Sequence, residues 1–210
     1  MSYPHLHLMD HPLIQHKISV LRAGQTSTRD FRRLVHEIAL LIGYEATRDL
    51  KLDTRSIQTP LQETQGYTLA NPVCLVPVLR AGLGMTEAML ELFPTARVGH
   101  IGLYRDHETL APIEYYCKLP TDIADCDVFI LDPMLATGGS ALAAIACLKK
   151  HGVRNLRLLN LVAAPEGVNA IHNAYTDVEI YLGALDEKLN ENGYILPGLG
   201  DAGDRLFGTL

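Results

Sequence analysis

Thr137, Gly138, Gly139 and Ser140 follow directly on the apolar run "DVFILD" (127–132) and precede an alanine-rich stretch. A strand that hands over to a helix through two glycines and two hydroxyls can cradle an anion. Backbone N–H groups at a helix start lack intrahelical partners and carry the positive end of the helix dipole. Glycines admit a phosphate close to those amides, and the hydroxyls add donors. Asp132, at the strand end, can accept bonds from ribose hydroxyls. The plainer reading is a capped turn, since Thr-Gly-Gly is common there. A Walker A loop is excluded, because no G-x-x-x-x-G-K-[ST] occurs and no lysine follows the glycines.

Three further clusters follow the same logic. In "VPVLRAGLGM" (76–85), Arg80-Ala81-Gly82 ends a strand and opens a helix, a second cradle whose arginine suits phosphate oxygens. In "GLYRDHETLAPIEYY" (102–116), Arg105 stands at a strand end before a polar loop and a returning strand. That stretch reads either as a lid carrying an arginine or as a solvated hairpin tip. In "GYILPGLGDAGDRLFGT" (193–209), "GLGDAG" matches G-x-G-x-x-G literally. Only seven residues remain after Gly203, so the acidic ribose partner expected about 20 residues further on cannot exist, and the dinucleotide reading fails. Its exposed amides, with Asp201, can instead read the edge of a flat ring.

These loops need elements to hold them. Apolar residues recur at three- and four-residue steps from Ser27 to Lys51, which predicts a helix, with Ser27 and Asp30 as its N-cap signature. "TRSIQTP" and "YTLANP" read as short strands or extended loops. Strands are predicted at 73–79, 96–105, 113–119, 127–132, 156–164 and 178–184, with helices at 81–93, 139–151 and 166–174. Apolar strands separated by helices mean βαβ units and a mostly parallel sheet in an α/β fold. Such sheets bind ligands beyond the carboxyl ends of their strands, where these loops fall. No repeat, low-complexity tract or linker interrupts the pattern, so one domain is expected.

The bulk of the chain sets outer limits. Its 210 residues, 48% hydrophobic and 20% charged, describe an ordinary globular protein. A net charge of -6 argues against nucleic acid as the main partner. The four cysteines, Cys74, Cys117, Cys126 and Cys147, are dispersed, which fits buried reduced thiols in the cytoplasm. No signal peptide or membrane-spanning run is recognised. His5, His7, His11 and His16 crowd the N-terminus, either as a metal site or, the favoured reading, as polar residues on an arm packing against the body or a partner subunit.

Two anion cradles, an acid at the ribose position and a ring-reading loop together point to a sugar phosphorylated at both ends. At this point "FILDPMLATGGSA" resembles the phosphoribosyl diphosphate (PRPP) motif of type I phosphoribosyltransferases in its uracil form. The resemblance runs from "HPLIQHKISVLR" through "FRRLVHEIALLIGYEATRDL" and "PVLRAGLGM" to "PGLGDAGDR", nearly the whole chain. Most type I relatives open the motif with two acids. Pro133 replaces the second here, as in the uracil enzymes, leaving Asp132 alone.

The resemblance implies a type I phosphoribosyltransferase fold with a core at about 70–185, an N-terminal helical arm at about 10–52 and a hood at about 186–210. It implies transfer of the phosphoribosyl group from PRPP to N1 of uracil, giving UMP and diphosphate. Carried over, PRPP is held by Asp132, Pro133, Met134, Leu135, Ala136, Thr137, Gly138, Gly139 and Ser140. Arg80 and Arg105 face the diphosphate. Asp201 holds PRPP through Mg2+ or its waters, and Ile195, Gly200, Asp201 and Ala202 take uracil. No side chain is placed to act as a strong base. A homodimer or larger homo-oligomer is expected; some relatives are activated by GTP, although no segment announces a GTP site. The rivals are a regulator on the same fold that senses nucleotides or RNA, and a transferase for another base such as xanthine or guanine.

Overall fold

The structure, a computed structural model, describes residues 3–105 and 112–209, with Arg105 and Pro112 described by their backbone. In chain order the elements are β1 (Leu6–Leu8), α1 (Pro12–Arg22), α2 (Thr28–Glu45), β2 (Leu52–Gln58), β3 (Glu63–Leu69) and β4 (Val73–Leu79). Next come α3 (Leu83–Leu92), β5 (Arg97–Val98), β6 (His100–Arg105), β7 (Pro112–Lys118), β8 (Asp127–Leu131), β9 (Met134–Leu135) and α4 (Gly139–Lys150). The chain continues with β10 (Asn155–Ala163), α5 (Pro165–Ala174), β11 (Val178–Leu185), β12 (Lys188–Leu189), β13 (Ile195–Leu196) and α6 (Ala202–Phe207).

The main sheet runs β1-β11-β10-β8-β4-β6-β7, parallel throughout except for the β6–β7 hairpin at one edge. Side-chain alternation along its central strands sorts the interior into two cores. Leu75, Phe129, Leu131, Leu159 and Leu161 point to the face covered by α1, α2, α3 and α6. Val76, Val128, Ile130, Leu156 and Leu158 point to the face covered by α4 and α5. Burial on both faces explains why β4, β8 and β10 read as unbroken apolar runs. From β4 the chain passes through α3 towards β6, while from β8 it passes through α4 towards β10. The order therefore reverses between β4 and β8, which opens a crevice at their carboxyl ends.

The sequence expectations hold in outline and shift in detail. Helix α2 has its Ser27 cap, whose hydroxyl accepts from the Asp30 N–H at 3.2 Å, but it stops at Glu45 rather than Lys51. Tighter turns replace it there: Thr47 N–H donates to Tyr44 and Leu50 N–H to Thr47. "TRSIQTP" and "YTLANP" belong to β2 and β3, a full seven-pair antiparallel hairpin. Strand β1 adds to the β11 edge, where His5 and His7 bond separate oxygens of Glu179 at 2.7 Å each. His11 accepts from the Leu13 N–H at the start of α1. His5 and His7 thus tie the N-terminal arm to the body, while His11 serves its own helix.

Gly82 is required where α3 leaves β4. A Cβ there would stand 2.2 Å from the Leu131 carbonyl oxygen and 2.7 Å from the Val78 nitrogen, both rigid backbone. Gly82→Ala is expected to cost roughly 2–3 kcal/mol and lower Tm by about 4–12 °C in a thermal melt.

Candidate active site

Helix α4 starts where Gly138 takes a left-handed conformation at φ 85, with a would-be Cβ 3.0 Å from Ala170 Cβ and 3.2 Å from the Gly167 carbonyl oxygen. The first intrahelical bond is the one from Leu142 N–H to the Gly138 carbonyl at 2.8 Å. The amides of Gly139, Ser140 and Ala141 precede it and so have no partner in the helix ladder. They border a cavity of about 340 Å3, together with Thr137, Asp132, Arg80 and Asp201.

Asp132 is fixed at the end of β8. Its N–H donates to the Leu159 carbonyl at 3.2 Å, and its carbonyl accepts from Asn160 Nδ2 at 2.6 Å. Burial pushes its carboxyl up to about 7, although the Met134 N–H, 3.2 Å from Oδ1, pulls the other way. An acid raised on folding stabilises below its unfolded value and loses that stabilisation as pH rises through the folded one. The free protein should therefore lose stability between about pH 4 and 7 through this group. Asp132→Asn should flatten that slope and be the more stable form at pH 8, as urea denaturation across pH would measure.

Pro133 lies behind the cavity wall. Its carbonyl accepts from the N–H groups of Leu161 and Val162, which lets β9 resume pairing with β10. Pro133, expected to meet PRPP, is not among the residues that line this cavity. Met134, Leu135 and Ala136 stay on the wall beside Thr137, Gly138, Gly139 and Ser140. Arg80 lines the same cavity with its guanidinium exposed, 3.4 Å from the Asp204 carboxylate and above the Phe207 ring. The backbone of Arg105 ends β6, opposite Pro112. Its side chain and residues 106–111, most of the expected lid, lie outside the described residues.

A second cavity of about 280 Å3 adjoins the first and shares Met134, Ala136 and Asp201 with it. Its remaining wall is Asn192, Gly193, Tyr194, Ile195, Gly200 and Ala202. Ile195, Gly200, Asp201 and Ala202 are the residues expected to meet a flat ring. Asn192, Gly193 and Tyr194 were not anticipated. They form a turn whose amides at 192 and 194 donate to Asn190 Oδ1, at 2.9 Å each. Asp201 caps α6 by accepting from the Asp204 N–H at 2.9 Å.

The hood is held by cations that sequence reasoning passed over. Arg22 binds both carboxylate oxygens of the buried Asp186 and donates to the Gly198 carbonyl at 2.8 Å, while the Gly198 N–H returns to Asp186 at 2.9 Å. Arg205 donates to the carbonyls of Leu199 and Ala23 at 2.8 Å each and stacks over Phe31. These bonds join α1 and α2 to the glycine-rich loop. Arg22→Ala strands a buried carboxylate, so a loss of about 3 kcal/mol in urea denaturation is expected.

Among solved structures, a hypoxanthine phosphoribosyltransferase from Staphylococcus aureus shares the fold at TM-score 0.52 and 14% identity, covering 86% of this chain and 84% of that one. The AQ2163 protein from Aquifex aeolicus matches at TM-score 0.92 and 39% identity, over 96% of this chain and 97% of its own. The fold is that of the type I phosphoribosyltransferases, with the start of α4 and its cavity at the β4/β8 crevice. The sequence profile of uracil phosphoribosyltransferases matches residues 8–209. The uracil phosphoribosyltransferase of Listeria welshimeri serovar 6b is 58% identical over 205 residues, 97% of this chain and 98% of that one. The chain belongs to the uracil phosphoribosyltransferase family.

Proposed function

We propose that this chain transfers the 5-phosphoribosyl group of PRPP to N1 of uracil, with the two adjoining cavities holding the two substrates. The observation that carries the reading is their shared wall at Met134, Ala136 and Asp201. The α4 amides with Thr137 and Ser140 hold the 5-phosphate, and Asp132 meets the ribose. Arg80 faces the diphosphate, where negative charge accumulates as the bond from C1′ to the diphosphate oxygen breaks, and the sequence resemblance assigns Arg105 the same role. Uracil N1 forms the new bond to C1′ and gives up its proton. An oxocarbenium-like centre asks mainly for positioning and exclusion of water.

Uracil presents two carbonyl acceptors and an N3–H donor on one edge, and cytosine exchanges part of that set. A fixed set of main-chain groups at 193–202 would reject cytosine by leaving buried groups unpaired. Mg2+ arrives with PRPP, and when bound it offsets the charge of the diphosphate. Asp201, with one carboxylate oxygen taken by the α6 cap, has the hard oxygen donor such an ion requires. The chain acts as one catalytic domain in a cytoplasmic homo-oligomer; sedimentation with and without GTP tests the assembly and any response to that nucleotide.

The deciding experiment is nucleotide formation from PRPP with uracil, cytosine, xanthine and guanine in turn. UMP formation alone is expected. A purine nucleotide product, or PRPP binding without turnover of any base, would overturn the reading.

A further inference from the structure

Far along the sheet from the base cavity, a second group of ligand-type side chains converges. The register of the β6–β7 hairpin slips by one residue: Leu103 pairs with Glu114 and Gly102 with Tyr116, which leaves Tyr115 as a bulge. Such a bulge re-aims the residues on either side of it. Ile101 pairs with Cys117, and because Ile101 and Leu103 are two residues apart on β6, their partners Cys117 and Glu114 share one face. Without the bulge, positions three apart on a strand would point to opposite sides. Gly102 accommodates it, since a Cβ there would stand 2.5 Å from the Tyr115 ring.

The face so made meets α4. Cys147 lies with its sulfur 3.3 Å from that of Cys117, and the ligand atoms of Glu114, Cys117 and Cys147 all lie within 4.8 Å of one another. This is the one such group among the described residues. His151, one turn on from Cys147, stands with Nδ1 4.0 Å from the Cys147 sulfur.

We propose that Glu114, Cys117 and Cys147 form a binding site for a thiophilic divalent cation such as Zn2+, with water in the fourth position. Zinc bound through sulfur at about 2.3 Å and oxygen at about 2.0 Å sets tetrahedral donors roughly 3.5–3.8 Å apart. The two sulfurs need to open by about 0.4 Å to reach that spacing, whereas a disulfide bond demands closure by more than 1 Å. On binding, each thiol gives up its proton as its sulfur–metal bond forms, so affinity falls as pH is lowered. The ion would fasten the β6–β7 hairpin to the helix whose first turn borders the larger cavity.

Titration of the full-length, reduced protein with Cd2+ alone tests the site. One equivalent per chain is expected, with a thiolate-to-metal charge-transfer band. The band should vanish in Cys117→Ser/Cys147→Ser, which keeps the buried Cys74 and Cys126 as an internal control. Glu114→Gln, at an exposed position that leaves packing alone, should weaken Cd2+ at least tenfold. Zn2+ should raise Tm in the wild type and leave the double variant unmoved. An unchanged band in the double variant, equal affinity in Glu114→Gln, or no saturable binding would each overturn the proposal. So would a Cys117–Cys147 disulfide formed by peroxide at the same rate with and without Zn2+.

Discussion

Asp201→Asn is expected to lower kcat/KM for PRPP about a hundredfold, or about 2.7 kcal/mol of transition-state stabilisation, with Tm almost unchanged. Asparagine serves as an N-cap as well as aspartate does, so the bond from the Asp204 N–H survives the exchange. What is removed is one negative charge on the wall common to both cavities. Steady-state kinetics and a thermal melt separate the outcomes. Weaker uracil binding with PRPP kinetics intact would show that the loop reads only the base. A lower Tm with intact kinetics would reduce Asp201 to a turn former.

Gly139→Val should abolish PRPP binding measured by calorimetry. Gly139 is the first residue of α4 and stands on the wall of the larger cavity. Valine costs the helix little in propensity relative to glycine, but its branched side chain fills space that a phosphate needs to reach the amides. Unchanged PRPP affinity would sink the assignment. The neighbouring Gly138 offers no such test. Its positive φ and its approach to Ala170 and Gly167 mean that any side chain there disturbs the fold first.

What the sequence revealed was contiguous. The phosphate cradle lies in one nine-residue run, and the change from apolar strand to small-residue helix marks both its place and its chemistry. Two-sided burial made β4, β8 and β10 conspicuous. The β2–β3 hairpin was faint because β2 is exposed along its whole length, so no period-2 pattern marks an inner face. The Arg22–Asp186 pair could not be read at all, since its partners stand 164 residues apart and neither carries a local motif. The bulge at Tyr115 was equally hidden: it is a property of two strands in register, and no composition of one strand announces it. The structural part played by Pro133 was hidden in the same way, since its carbonyl meets the N–H groups of Leu161 and Val162, almost 30 residues on.

The distribution of the site along the chain also imposes a timetable on synthesis. A ribosome delivers Arg80, Asp132 and Thr137–Ser140 while the hood is still untranslated, and domains begin to organise from their N-terminal side as they emerge. Arg22 must wait for Asp186, and the loop that Arg205 secures to Ala23 and Leu199 arrives later still. A polypeptide arrested near Gly183 would carry Asp132 and Thr137–Ser140 but would lack Asp201, common to both cavities, and residues 192–195, 200 and 202 of the smaller one. Both cavities are therefore completed only once residues 186–203 have emerged.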